Sequence, residues 1–176
     1  MAVGLQIMVG MSELKIAKGR AVLTCLGLGS CIGVVAHDPL SDVTGVVHIM
    51  LPEAFKDRPV DKPGKFVDTA LPELIKALTA QGADAKRLLF TYAGGAQVFK
   101  FGSNSENRLD VGARNCLALA ETMAKLGIKP IAIDVGGTQG RTVTVDTETG
   151  NVVVRTVHSG EKTLCNLKSQ AGRVAA

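Results

Sequence analysis

What most constrains this chain is its punctuation. Short aliphatic or β-branched runs recur along it, most of them closed by glycine, proline or a polar turn. Leu5–Met8, Arg20–Leu26, Cys31–Ala36, Thr44–Leu51, Arg87–Tyr92, Pro130–Val135, Arg141–Asp146 and Val152–Val157 have the length and residue types of strands. The last two flank Glu148-Thr149-Gly150-Asn151 and read as a hairpin. Only Phe66–Gln81 and Val111–Leu126 carry the three-and-four-residue spacing of amphipathic helices. Asp110 is placed to cap the second, and Gly82 and Gly127 to stop the pair. Consecutive strands near both ends exclude a strictly alternating doubly wound sheet. The predicted architecture is an α/β sandwich with mixed, largely antiparallel sheets and two main helices. At 176 residues this is one domain, drawn at 1–167, with a flexible tail of small and polar residues at 168–176.

Composition narrows the function. Aromatics make up 3% of the chain, with no tryptophan, so the core is aliphatic and no stacking platform for single-stranded nucleic acid is expected. The net charge of +4 comes from scattered residues, which argues against a nucleic-acid stripe or a polybasic membrane anchor. A mild positive field does favour encounter with an acidic partner. The longest uncharged stretch, Ala21–His37, is too short and too glycine-rich to span a bilayer and reads as strand, loop, strand. Met1–Gly10 lacks the basic start of an export signal, so a cytoplasmic location and reduced cysteines are expected. Cys25, Cys31, Cys116 and Cys165 form no CxxC pair and have no histidine at ligand spacing, so no metal is expected. His37 and His158 are expected in exposed loops.

One segment could carry chemistry. In Leu26-Gly27-Leu28-Gly29-Ser30-Cys31-Ile32-Gly33 a cysteine follows a glycine loop at the mouth of a strand. The amides of Ser30 and Cys31 could bind an oxyanion there, with Gly29 keeping the backbone open to a substrate. A dinucleotide fingerprint fails, because Ile32 stands where the third glycine belongs. The thiol needs a base. A hairpin centred between Pro39 and Leu40 places His48 directly across from Cys31. A buried, inert cysteine and a core histidine are the plain alternative reading of the same residues.

These residues sit in blocks that together resemble the CheD family. The blocks are Leu26 to Cys31, Asp38-Pro39, His48-Ile49-Met50-Leu51-Pro52, Asp61 to Phe66, Ala93-Gly94-Gly95-Ala96, Gly112-Ala113-Arg114-Asn115 and Gly136-Gly137 with Gly140-Arg141. The resemblance runs from about residue 3 to about 165 and implies a chemotaxis enzyme that deamidates selected chemoreceptor glutamines. It implies a fold like the catalytic domain of cytotoxic necrotising factors, no cofactor, Cys31 as nucleophile and His48 as base. It further implies a third catalytic member, a threonine six residues before the cysteine. That position is Cys25 here, with Thr24 one residue earlier. Either Cys25 orients the histidine, a bulge brings Thr24 in, or a backbone carbonyl serves. Implied partners are receptor helices and the phosphatase CheC, with 53–65, Gly95–Phe99 and Gly136–Arg141 as candidate rims. Phe99 and Phe101 are weighed as core or rim residues. A non-catalytic adaptor and another thiol amidase or esterase are the rival readings.

Overall fold

The computed structural model describes residues 4–98 and 110–173. Phe99 and Phe101 lie outside the described residues. Among the described residues ten strands form two sheets of five. In the first, β1 (Leu5–Val9), β3 (Ala21–Leu28), β8 (Arg141–Asp146), β9 (Asn151–Thr156) and β10 (Gly160–Asn166) lie in that order. In the second the order is β2 (Leu14–Lys18), β5 (Val43–Ile49), β4 (Ile32–Asp38), β6 (Leu89–Gly94) and β7 (Ala132–Val135). The β1–β3 and β6–β7 pairs are parallel and the others antiparallel. With α1 (Val67–Ala80) and α2 (Val111–Lys125), this is the mixed α/β sandwich expected.

Strand alternation sorts the core into two layers. Ile32, Val34, Val47, Ile49 and Phe90 face the helices, packing on Leu71, Leu74, Leu78, Leu119 and Met123. Val35, Val46, Leu89 and Ala93 face the other way, onto Leu23, Cys25, Val143, Val145, Val152 and Val154 of the first sheet. The second sheet is therefore covered on both faces, which is why β4, β5 and β6 read as continuous apolar runs. Asp110 caps α2 by accepting from the Ala113 N–H at 2.9 Å, a bond whose loss costs about 1 kcal/mol. Gly127, at φ 69°, ends it as expected.

Two strands escaped the sequence reading, β2 and β10. Both are edge strands, and their lysines and polar residues give a solvated rather than apolar run. Lys168–Arg173, inside the stretch expected to be a flexible tail, forms 3-10 turns. His37 is corrected outright. It is not in an exposed loop but lies buried in β4, with Nδ1 2.9 Å from the Thr44 hydroxyl. Asp38 beside it is also buried, and its carboxylate accepts from Leu40, Ser41, Asp84 and Arg87. His158 is exposed in the β9–β10 turn.

Candidate active site

The β3–β4 connection builds the site. Gly27, at φ 70°, lets the chain reverse, and the Gly29 N–H donates to the Gly27 carbonyl at 3.0 Å. Cys31 follows in a bend immediately before β4, partly exposed and packed against the inter-sheet core.

Its partner across the hairpin is not the expected one. Gly33, not Cys31, pairs with His48. The turn closes one residue later than symmetry predicts. The Asp38 carboxylate holds Leu40 and Ser41, and Asp42 takes a left-handed φ of 53°, so Pro39–Asp42 all lie in the turn. The slip is two residues along the partner strand, so the face is preserved. Cys31 and His48 become diagonal neighbours, roughly 7–8 Å apart in regular sheet geometry. Gly33 lies between them with no side chain. A Cβ there would stand 3.0 Å from Leu28 Cδ1 and 3.4 Å from Cys25 Sγ.

The three candidates for the third position are now separated in space. Thr24 lies on the outer face of the first sheet, its hydroxyl 3.4 Å from that of Thr144. The irregularity in β3 falls between Cys25 and Leu28, after Thr24, and does not turn it inward. Cys25 faces inward, fully buried, toward Gly33. The His48 ring lies against the Val9 carbonyl, which favours its charged form, although neither ring nitrogen makes a well-formed hydrogen bond among the described residues. Burial pushes the His48 imidazole down and the Cys31 thiol up. Burial, with the neighbouring Cys31, pushes the Cys25 thiol up to about 12. Both shifts favour the uncharged forms of Cys31 and His48.

One loop and helix α2 grip the Cys31 segment, and a second loop backs the first. The Ala96 N–H donates to the Gly29 carbonyl at 2.7 Å and the Gly95 N–H to that of Cys31 at 2.8 Å. A Cβ on Gly94 would collide with the Cys31 carbonyl oxygen, so only glycine fits there. Behind this loop, the Gly136 N–H donates to Gly94 and the Gln97 N–H to the Gly137 carbonyl. The Arg141 guanidinium fastens that second glycine loop, donating to Gly136 at 2.8 Å while pairing with Asp134. From the helix side, Asn115 Nδ2 donates to the Ser30 carbonyl at 2.8 Å and to the Met50 carbonyl at 2.9 Å. The N–H groups of Ser30 and Cys31 have no acceptor among the described residues.

Sequence reading gave no role to Val9, Gly33 or Asn115. Asn115 did carry a signal. It falls in step with Gly112, Leu119 and Met123 on the buried stripe of α2, where a polar residue needs a reason. No group of three His, Cys, Asp or Glu side chains among the described residues could hold a metal ion.

A thiol and an imidazole on one sheet face, with unpaired amides at a glycine loop, are the kinds of group that a cysteine–histidine hydrolase uses. The comparisons make the class specific. Residues 50–156 match the family model described as CheD chemotactic sensory transduction. The chain is 43% identical over 154 residues to the probable chemoreceptor glutamine deamidase CheD of Caldanaerobacter subterraneus subsp. tengcongensis, covering 88% of this chain and 94% of that one. It is 40% identical over 159 residues to the protein of that name from Desulforamulus reducens, covering 90% and 95%. A Desulfitobacterium hafniense protein, also so named, is 42% identical over 158 residues, covering 90% and 98%. The chain belongs to the CheD family.

Proposed function

We propose that this chain is a cytoplasmic chemoreceptor glutamine deamidase that works through a Cys31 thioester. The observation that carries the reading is the placement of Cys31 and His48 on one face, either side of the side-chain-free Gly33, in a member of the CheD family. His48 accepts the thiol proton as Cys31 Sγ attacks the glutamine side-chain carbonyl carbon. The oxyanion is held by the N–H groups of Ser30 and Cys31. Protonated His48 returns its proton to the departing nitrogen, ammonia leaves, and a thioester remains. His48 then takes a proton from water, whose oxygen attacks the thioester. Glutamate forms and the thiol is restored. No cofactor takes part.

The direction of both shifts fits this order of events. A thiol held up and an imidazole held down keep the proton on sulfur until a substrate carbonyl arrives. In the orienting role we place the Val9 carbonyl, which lies against the ring, ahead of Cys25. Thr24 is set aside because it faces outward. Each turnover adds a negative charge to a receptor helix. A rim at the start of the 53–65 stretch could receive such a helix: Leu51, Pro52, Glu53, Phe55, Lys56 and Arg114 line a shallow pocket there. Phe55 stands edge-on to Phe66, with Arg58 over its face. CheC is proposed to bind the same rim in competition with receptor.

The test is intact-mass analysis of a receptor fragment co-expressed with this chain. A gain of about 1 Da per modified glutamine, lost in Cys31→Ala, is expected. Capture of receptor or CheC without any mass gain would replace this reading with a non-catalytic adaptor. Turnover of small amides or esters with receptor untouched would replace it with another thiol hydrolase.

A further inference from the structure

We propose that Asn115 is a positioning residue that aims the Cys31 N–H at the oxyanion. The inference rests on the deamidase reading and deepens it. Asn115 is fully buried, and both hydrogens of its one amide group are committed to carbonyls far apart in sequence. One carbonyl, Ser30, belongs to the peptide that ends in the Cys31 nitrogen. The other, Met50, lies two residues beyond His48. A single side chain thus pins the nucleophile's peptide to the strand that carries the base.

Peptide geometry gives that bond its consequence. In a trans peptide the C=O and N–H point to opposite sides, and the described residues contain no cis bond. Drawing the Ser30 carbonyl toward α2 therefore turns the Cys31 N–H away from it. A donor on the carbonyl also polarises the same peptide and strengthens its N–H as a donor. The flanking carbonyls are held too, Gly29 by Ala96 and Cys31 by Gly95. Three consecutive carbonyls are gripped while the two N–H groups between them stay unpaired among the described residues. That is the pattern of a preformed anion hole rather than of an ordinary turn.

Two further features support the assignment. Gly112, one turn before Asn115, lets α2 come close, since a Cβ there would stand 2.7 Å from the carbonyl oxygens of Gly95 and Ala96. The amide orientation is also forced, because a flip would set Oδ1 against two carbonyls. The result leaves Oδ1 buried with no donor among the described residues. Such an uncompensated acceptor is costly and is unusual unless the other end of the group is needed.

The test uses the full chain with a receptor fragment. Wild type, Asn115→Leu and Asn115→Asp are compared for kcat, KM, thermal stability and the rate of Cys31 alkylation by iodoacetamide. Alkylation needs the thiol and His48 but no oxyanion donor. In Asn115→Leu, kcat should fall about 100-fold, the scale of losing one oxyanion donor, with KM and alkylation changed less than about threefold. In Asn115→Asp the ionised carboxylate repels both carbonyls. Its kcat should therefore recover as pH is lowered from 8 toward 6, where wild type stays level, as the acid form regains one donor. Retained kcat in Asn115→Leu overturns the proposal. So does an equal fall in kcat and alkylation, or loss of folded protein in both variants, either of which marks a structural staple. Absence of any mass gain with wild type breaks the deamidase reading itself, and this assignment with it.

Discussion

Two histidines lie buried between the sheets on neighbouring strands, and they are held differently. His37, in β4, has a hydroxyl partner at 2.9 Å and stands beside Asp38, whose carboxylate is saturated by backbone and side-chain donors. His48, in β5, has no well-formed hydrogen bond to either ring nitrogen among the described residues. It stands opposite Gly33, which has no side chain and is packed against Leu28 and Cys25. Burial lowers the pKa of both. The difference lies in what surrounds them. At the His37 end one ring nitrogen and the Asp38 carboxylate are paired, with Nε2 alone lacking a partner among the described residues, and the result is a tight turn. At the His48 end a thiol, an imidazole touched only by the Val9 carbonyl, and two amides have no well-formed hydrogen bond among the described residues, which is what the proposed substrate would complete. Burial and unusual titration alone do not distinguish a structural histidine from a reactive one. What separates them is that neither His48 nitrogen is hydrogen-bonded and that His48 shares its face with a thiol beyond a residue without a side chain.

Substitutions at the two ends should therefore act on different quantities. Cys31→Ala should lower receptor deamidation by at least about 10⁴-fold, and His48→Ala by about 10²–10⁴-fold. His37→Gln should leave kcat within about twofold while lowering stability by about 1–3 kcal/mol, because the Thr44 hydroxyl loses its buried partner. Steady-state kinetics beside urea unfolding checks both. A large kcat loss in His37→Gln would erase the contrast.

A side chain at Gly33 gives the next largest effect. Gly33→Ala places a Cβ 3.0 Å from Leu28 Cδ1, a side-chain end that can move a few tenths of an ångström. The fold should survive, but kcat should drop about tenfold as the Cys31–His48 alignment shifts. Unchanged kcat would mean that the absent side chain matters only for packing.

Much of this was readable from local pattern, and the failures have local causes. Both helices, the Asp110 cap, the β8–β9 hairpin and the shared face of Cys31 and His48 follow from periodicity and alternation, which depend on near neighbours. The exact partner did not follow. Turn length was set by the Asp38 carboxylate and the left-handed Asp42, neither visible as symmetry. The edge strands β2 and β10 are stabilised from one side only and carry no continuous apolar run. His37 resembled a turn residue because Pro39 follows so closely, yet Arg87, distant in sequence, is what holds that end of β4. Asn115 acts on Ser30 and Met50 across the fold, contacts that no sequence window contains.

Acid should reveal both histidines as a smaller, shared effect. Near His37, Asp42 and Asp38 raise and Lys168 lowers the pKa, but burial outweighs them. Below about pH 6.5 the unfolded chain binds protons that the folded chain refuses, so stability falls as pH falls. Asp38 and Asp134, held low by their hydrogen-bond and charge partners, add a second loss below about pH 4, where unfolded carboxylates take up protons. Thermal melts from pH 7.5 to 3.5 should show two steps, the first reduced in His37→Gln. A flat profile between pH 7.5 and 5 would mean that neither histidine is held neutral. The acid limb of deamidation should likewise lie below the ordinary imidazole value, since His48 must be neutral to act.

The smallest effect is expected where the family resemblance made the largest demand. The resemblance sets Cys25 where it expects a catalytic threonine, but the Cys25 thiol is fully buried and pushed up to about 12, a poor partner for an imidazole. The Val9 carbonyl already lies against the His48 ring and needs no particular side chain to do so. Cys25→Ala should therefore change kcat less than about threefold, while leaving a small cavity that lowers stability by about 1 kcal/mol. Cys25→Thr should gain at most a similar factor, and only if its hydroxyl reaches the ring. A tenfold rise in kcat in Cys25→Thr would show that orientation was limiting and that Val9 does not supply it. His48 would then lack a satisfactory orienting group in the native chain, and the contrast with the well-held His37 would extend to the chemical step.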